Sequence, residues 1–180
     1  MPWIDSSSLH GREPATPYRY PVWWHVALAL LLALLAQGTL LSRLTWADVP
    51  PSAVLLVVIW FSVRLGPQRA AMLGLVAGLC EDLLSGTTGG SWMLATLAAA
   101  VLTALLSQRF FSDSPLLYAA LAFVGTFIRN AVFWAAMQIA GSPFAWSGLH
   151  FHDAVRQSIL DAICLGIFAW WYRARHRDNL

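Results

Sequence analysis

Residues 22 to 41 read VWWHVALALLLALLAQGTLL, twenty positions without one Asp, Glu, Lys or Arg. At about 1.5 Å per residue this run makes a helix about 30 Å long, the thickness of a bilayer's hydrocarbon core. It is longer than a signal-peptide core and no small-residue cleavage site follows it, so it is expected to stay in the mature chain as a first span. Five more apolar stretches follow, at 51–65, 69–84, 91–106, 116–140 and 156–171. All are continuous rather than alternating, which excludes the two-residue period of a membrane β-barrel. Six spans of about 20 residues take about 120 of the 180 positions, leaving room for no soluble domain. Composition agrees: 58% of the residues are hydrophobic and 11% are charged, against about 25% charged in a water-soluble domain. The expected fold is therefore all-α, a polytopic membrane protein of six transmembrane helices.

Residues 1–21 are polar and interrupted by Pro2, Pro14, Pro17 and Pro21, and are expected to be a disordered cytoplasmic tail. Residues 22–172 form the membrane domain and 173–180 a basic cytoplasmic tail. Orientation follows from the arginines, because positive residues in short loops stay on the cytoplasmic side. Arg12, Arg19, Arg64, Arg69, Arg109, Arg173, Arg175 and Arg177 fall on one set of connections, and only Arg43 and Arg156 on the other. Both termini are thus expected in the cytoplasm. Trp23, Trp24, Trp92, Trp170, Trp171 and Tyr172 stand where interfacial aromatic anchors belong. A net charge of +2 is too balanced for a nucleic-acid binder. Cys80 and Cys164 lie within apolar runs and read as small hydrophobes.

In the third span, Gly74, Gly78, Asp82, Gly86 and Gly90 recur every four residues, which on a helix places them in one drifting stripe. Small residues at this spacing allow close helix packing in lipid, and packing alone accounts for the glycines as well as a partner-docking face does. Ionisable groups within spans are costly and are paired or functional. Here they are Glu81, Asp82, Arg129 and Asp161, expected in the outer half of the bilayer. They form either a polar or docking site or a buried ion pair that fixes helix register. Asp82 is the expected partner of Arg129, since a helix packed on Gly78 also meets the carboxylate one turn on. Glu81 sits about 100° round the helix and Asp161 is the fallback.

The run GLVAGLCEDLLSGTTGG, residues 74–90, resembles the signature stretch of the bacterial rod shape-determining MreD family. VWWHVALALLLALLAQ, VPPSAVLLVVIW, AVFWAAMQ and IFAWWYRARHR stand in that family's order, so that the likeness covers residues 22 to 177. The resemblance implies a six-helix bundle similar to the substrate-binding subunits of energy-coupling-factor vitamin transporters. It also implies a non-enzymatic inner-membrane component of the cell-elongation machinery. The implied partners are MreC, most directly, the actin-like MreB, and the glycosyltransferase and transpeptidase of lateral-wall peptidoglycan.

No catalytic, cofactor or metal residue is expected. His150, His152 and Asp153 resemble a metal cluster, but no further His or Cys accompanies them in the outer loops. Ser85, Thr87, Thr88 and Ser91 stand beside glycines without a Gly-x-Ser-x-Gly elbow. Ala29 and Ala33 form a small-every-four pair of the kind vitamin-transporter subunits use to dock. The rival function is such a carrier, with Trp92, Trp134, Glu81, Asp82 and Arg129 lining an outward cavity.

Overall fold

A computed structural model describes residues 23–41, 49–86, 90–109, 114–141 and 148–176. The expected tail at 1–21 lies outside the described residues. Among the described residues six helices follow one another: α1 Trp23–Ala36, extended by a π-turn at Gln37–Leu41, then α2 Ala53–Leu65, α3 Pro67–Ser85, α4 Ser91–Arg109, α5 Pro115–Ile139 and α6 Gly148–His176.

Local chemistry sets the boundaries. Ser52 and Ser114 cap α2 and α5 through side-chain oxygens that accept from Leu55 N–H (3.4 Å) and Leu117 N–H (3.2 Å). Gly66 alone joins α2 to α3. Its φ of 75° ends one helix, and Pro67 opens the next, where a missing N–H costs nothing. α6 begins eight residues before the expected 156, because the polar stretch through His150, Asp153 and Arg156 continues the helix. It also runs on to His176, so Arg173 and Arg175 stand on a helix.

α2 is the central post and touches each of the other five helices. One core joins Val26, Leu30 and Ala33 of α1 to Val54 and Val58 of α2, Ala70, Leu73 and Ala77 of α3, and Ala100 and Ala104 of α4. A second joins Leu55, Ile59 and Trp60 of α2 to Ala99, Tyr118, Leu121, Ala122, Leu165 and Ala169. Alanine supplies much of both cores, which lets the helices approach closely.

Polarity is inverted relative to a protein that folds in water. Leu31, Leu32, Leu35, Leu83, Leu84, Ile163 and Ile167 lie on the outside, while Glu81, Arg129, Asp161, Thr96 and Thr126 are buried. Such a surface is tolerated when the surroundings are acyl chains. Among the described residues two helical segments, Ser91–Gln108 and Pro115–Ile139, are long and apolar enough to cross a bilayer.

Candidate functional site

Glu81, Asp82, Arg129 and Asp161 all lie at one end of the bundle, within a network drawn from every helix. Arg129 of α5 is 3% exposed. Its Nη2 donates to Glu81 Oε1 at 2.7 Å and its Nη1 to Ser52 Oγ at 2.6 Å. Arg129 Nε finds no acceptor among the described residues, and the guanidinium lies 4.4 Å from the centre of the Trp92 ring. Glu81 Oε2 accepts from Thr96 Oγ1 at 3.1 Å, and Oε1 also takes Gln37 Nε2 at 3.4 Å.

The expected pairing of Arg129 with Asp82 is therefore corrected to Glu81. The stripe reasoning identified the right face but the wrong neighbour. A Cβ on Gly78 would lie 2.6 Å from Met93 Cα, and one on Gly74 2.7 Å from Ala100 Cβ, so this face packs on α4 and not on α5. Asp82, one turn beyond Gly78, meets the start of α4. Its Oδ1 accepts from Trp92 N–H (3.2 Å) and its Oδ2 from Met93 N–H (3.0 Å). Glu81, about 100° round the same helix, faces Arg129.

Gly86 and Gly90 do not continue the packing stripe. Helix α3 ends at Ser85, Gly86 takes a left-handed φ of 65° with open space around it, and Gly90 has φ 73°. They terminate α3 and lead into α4, roles that require glycine-like backbone rather than a small side chain. The intervening Thr87 and Thr88 lie outside the described residues.

Asp161, fully buried on α6, accepts from Ser52 N–H at 3.0 Å and from Thr126 Oγ1 at 2.9 Å. Val54 N–H donates to Gln37 Oε1 at 3.2 Å. These contacts explain how three buried acids coexist with one buried arginine. Asp82 caps the N-terminus of α4 and Asp161 that of α2, and a helix N-terminus carries roughly half a positive charge. Only Glu81 needs a cation. Ser52, Gln37, Thr96 and Thr126 complete the network and were not singled out from sequence. Their signal was a lone polar residue in or beside an apolar run, the type of side chain that hydrogen-bonds across helices in membranes.

The remaining candidates are dispersed. His150 stacks on Trp134 at 3.9 Å, and His152 is exposed. Asp153 makes a half-exposed ion pair with Arg156 at 3.8 Å. Among the described residues no three His, Cys, Asp or Glu side chains are grouped to hold a metal. Ser85 Oγ donates to the Asp82 carbonyl, and Ser91 Oγ contacts Met137 Sδ at 3.5 Å. Ala33 is buried against α2, with Ala29 half-buried beside it. A cleft bounded by Phe127, Asn130, Trp134, His150 and Phe151 has a volume of ≈ 10 Å³, enough for about one water.

The fold and site together define a class: a helical membrane protein whose buried charges are spent on holding its helices to one another. Within that class the chain is assigned by its sequence. The family described as rod shape-determining protein MreD matches residues 19–175, and the chain belongs to that family. Membership ties it to the determination of rod shape. No curated protein and no solved structure matches the chain.

Proposed function

We propose that the protein is a non-catalytic scaffold of the rod elongation complex, spanning the inner membrane six times with both termini in the cytoplasm. It would couple MreC and the cytoskeletal MreB to the glycosyltransferase and transpeptidase of lateral-wall synthesis. The observation that carries this reading is the inter-helix Glu81–Arg129–Ser52–Asp161 network. Its carboxylates and hydroxyls are engaged with other helices, and the two hydroxyls that meet carboxylates, those of Thr96 and Thr126, are fully buried. What the bundle offers a partner is its lateral, helix-faced surface, suited to a single-span protein lying alongside.

Topology is supported by alternation of ends. The last turns of α1 and α3 and the first residues of α2 and α4 meet at the network, so successive helices run antiparallel. Described acids lie at that end, and Arg64, Arg69, Arg173 and Arg175 lie at the other, which favours the second as the cytoplasmic side. α2, at 13 residues, is about 20 Å long and needs a locally thinned bilayer or the cover of its neighbours.

A vitamin-importer subunit similar to those of energy-coupling-factor systems is the rival. The engagement of Trp92 by Arg129 and by Phe133 at 4.0 Å weighs against it, because that ring is already stacked within the protein. Depletion decides between them. Rod cells that become round support the scaffold, whereas cells that keep their shape and come to need an external vitamin support the importer. Alkaline phosphatase fused after Gly90 should be active and after Ser112 or Leu180 inactive. Activity at Leu180 would exclude the six-span topology.

A further inference from the structure

At the end opposite the network, Arg64 in the last turn of α2 is held by rings rather than by acids. Its guanidinium carbon lies 4.0 Å from the Trp60 ring centre, 5.6 Å from that of Tyr172 and 5.9 Å from that of Tyr118. Trp60 is itself fixed, with Tyr118 at 4.8 Å, Phe168 at 4.9 Å and Tyr172 at 5.2 Å. The niche is thus built from α2, α5 and α6, and Arg64 sits half-buried within it.

Among the described residues, Arg64 makes no hydrogen bond and no ion pair. The described acids Glu81, Asp82, Asp153 and Asp161 belong to the other end, and Arg69, Arg173 and Arg175 lie in the helical turns at the same end as Arg64. A guanidinium carries five donors in a planar fork that matches phosphate, and stacking leaves the fork's edge available. Phe168 touches Trp60 on one side and is exposed on the other, and Ile163, Ile167 and Trp171 extend an exposed apolar track along α6.

We propose that Arg64, seated on Trp60, binds the phosphate of an anionic phospholipid headgroup, whose acyl chain lies along Phe168, Ile167 and Ile163. A fixed guanidinium donating to phosphate, with an apolar track leading from it, fits a lipid and not a free anion. The site rests on the chain lying in a bilayer and is independent of which wall-synthesis partners it meets. It also differs from a pure topology signal, which needs positive charge but no stacked geometry.

The test is native mass spectrometry of the full chain released from micelles containing equal phosphatidylglycerol and phosphatidylcholine. Wild-type protein should retain phosphatidylglycerol selectively, and Arg64→Gln should weaken that retention about fivefold, the worth of one basic residue at a membrane surface. Arg156→Gln, at the other end, should leave it unchanged. Arg64→Lys keeps the charge and serves if Arg64→Gln fails to accumulate; it should retain less phosphatidylglycerol than wild type because an ammonium lacks the fork. Equal retention by Arg64→Lys and wild type, or by Arg64→Gln and wild type, overturns the site. Displacement of the lipid by millimolar inorganic phosphate overturns the lipid assignment in favour of a free anion.

Discussion

The two ends of the bundle handle charge in opposite ways. At the Glu81 end, three carboxylates and one guanidinium are buried to 8% exposure or less, and each is met by groups from another helix. At the Arg64 end two cations rest on aromatic faces, Arg64 4.0 Å from the Trp60 ring centre and Arg175 5.5 Å from that of Trp171. The difference follows from what surrounds each. A charge within hydrocarbon must be matched inside the protein, whereas one at the interface has water and headgroups to complete it. The same residue type, arginine, is a structural clamp in one place and a surface contact in the other.

The largest expected effect breaks the buried end. Glu81→Ala strands Arg129, and loss of one partner of a buried pair costs about 3–5 kcal/mol. Folded protein in membranes, followed by fluorescence-detected gel filtration, should fall sharply. Adding Arg129→Leu should restore part of it, and a double variant no better than Glu81→Ala alone would refute the pairing. Gly78→Leu comes next: its side chain would start 2.6 Å from Met93 Cα, and overpacking against backbone costs about 1–3 kcal/mol or more. The thermal midpoint in detergent should drop, with Gly74→Leu behaving alike.

Asp82→Ala should be milder than Glu81→Ala, because it removes a cap from α4, worth about 0.5–2 kcal/mol, and leaves the Arg129 pair intact. Were Asp82→Ala the more damaging of the two, the division between clamp and cap would be wrong. Should it fold normally yet fail to co-purify a single-span wall-synthesis partner, Asp82 is a docking residue. The smallest effect belongs to Asp153→Ala, which removes a half-exposed pair worth about 0–1 kcal/mol and should not measurably shift the thermal midpoint.

Helix positions were legible because apolar runs are continuous, so α2, α4 and α5 begin and end within three residues of the expected limits. Periodicity misled where it outlived its helix: the four-residue spacing continues through Gly86 and Gly90 although α3 stops at Ser85. The charge cluster was legible as a neighbourhood, since all four ionisable residues fall at one end, but of the four only Glu81 and Arg129 meet as an ion pair. Its wiring was not. Spacing places Gly78 and Asp82 on one face, but only tertiary packing decides that this face meets α4 while Glu81, a third of a turn away, meets α5. Ser52 was hidden because a serine after two prolines reads as a simple cap, and its second task, bridging Arg129 to Asp161, depends on residues 77 and 109 positions away.

That separation along the chain imposes an order in time. Glu81 leaves the ribosome 48 residues ahead of Arg129, which at about 5–20 residues per second is a wait of roughly 2–10 s. Through that interval the acid sits in the membrane without its cation, and Ser52 N–H goes unanswered until α6 delivers Asp161. The Glu81 pair can thus close with α5, whereas the contacts of Asp161 to Ser52 and Thr126 close last, with α6. A chain cut short before α6 leaves Ser52 N–H and Thr126 Oγ1 without their carboxylate.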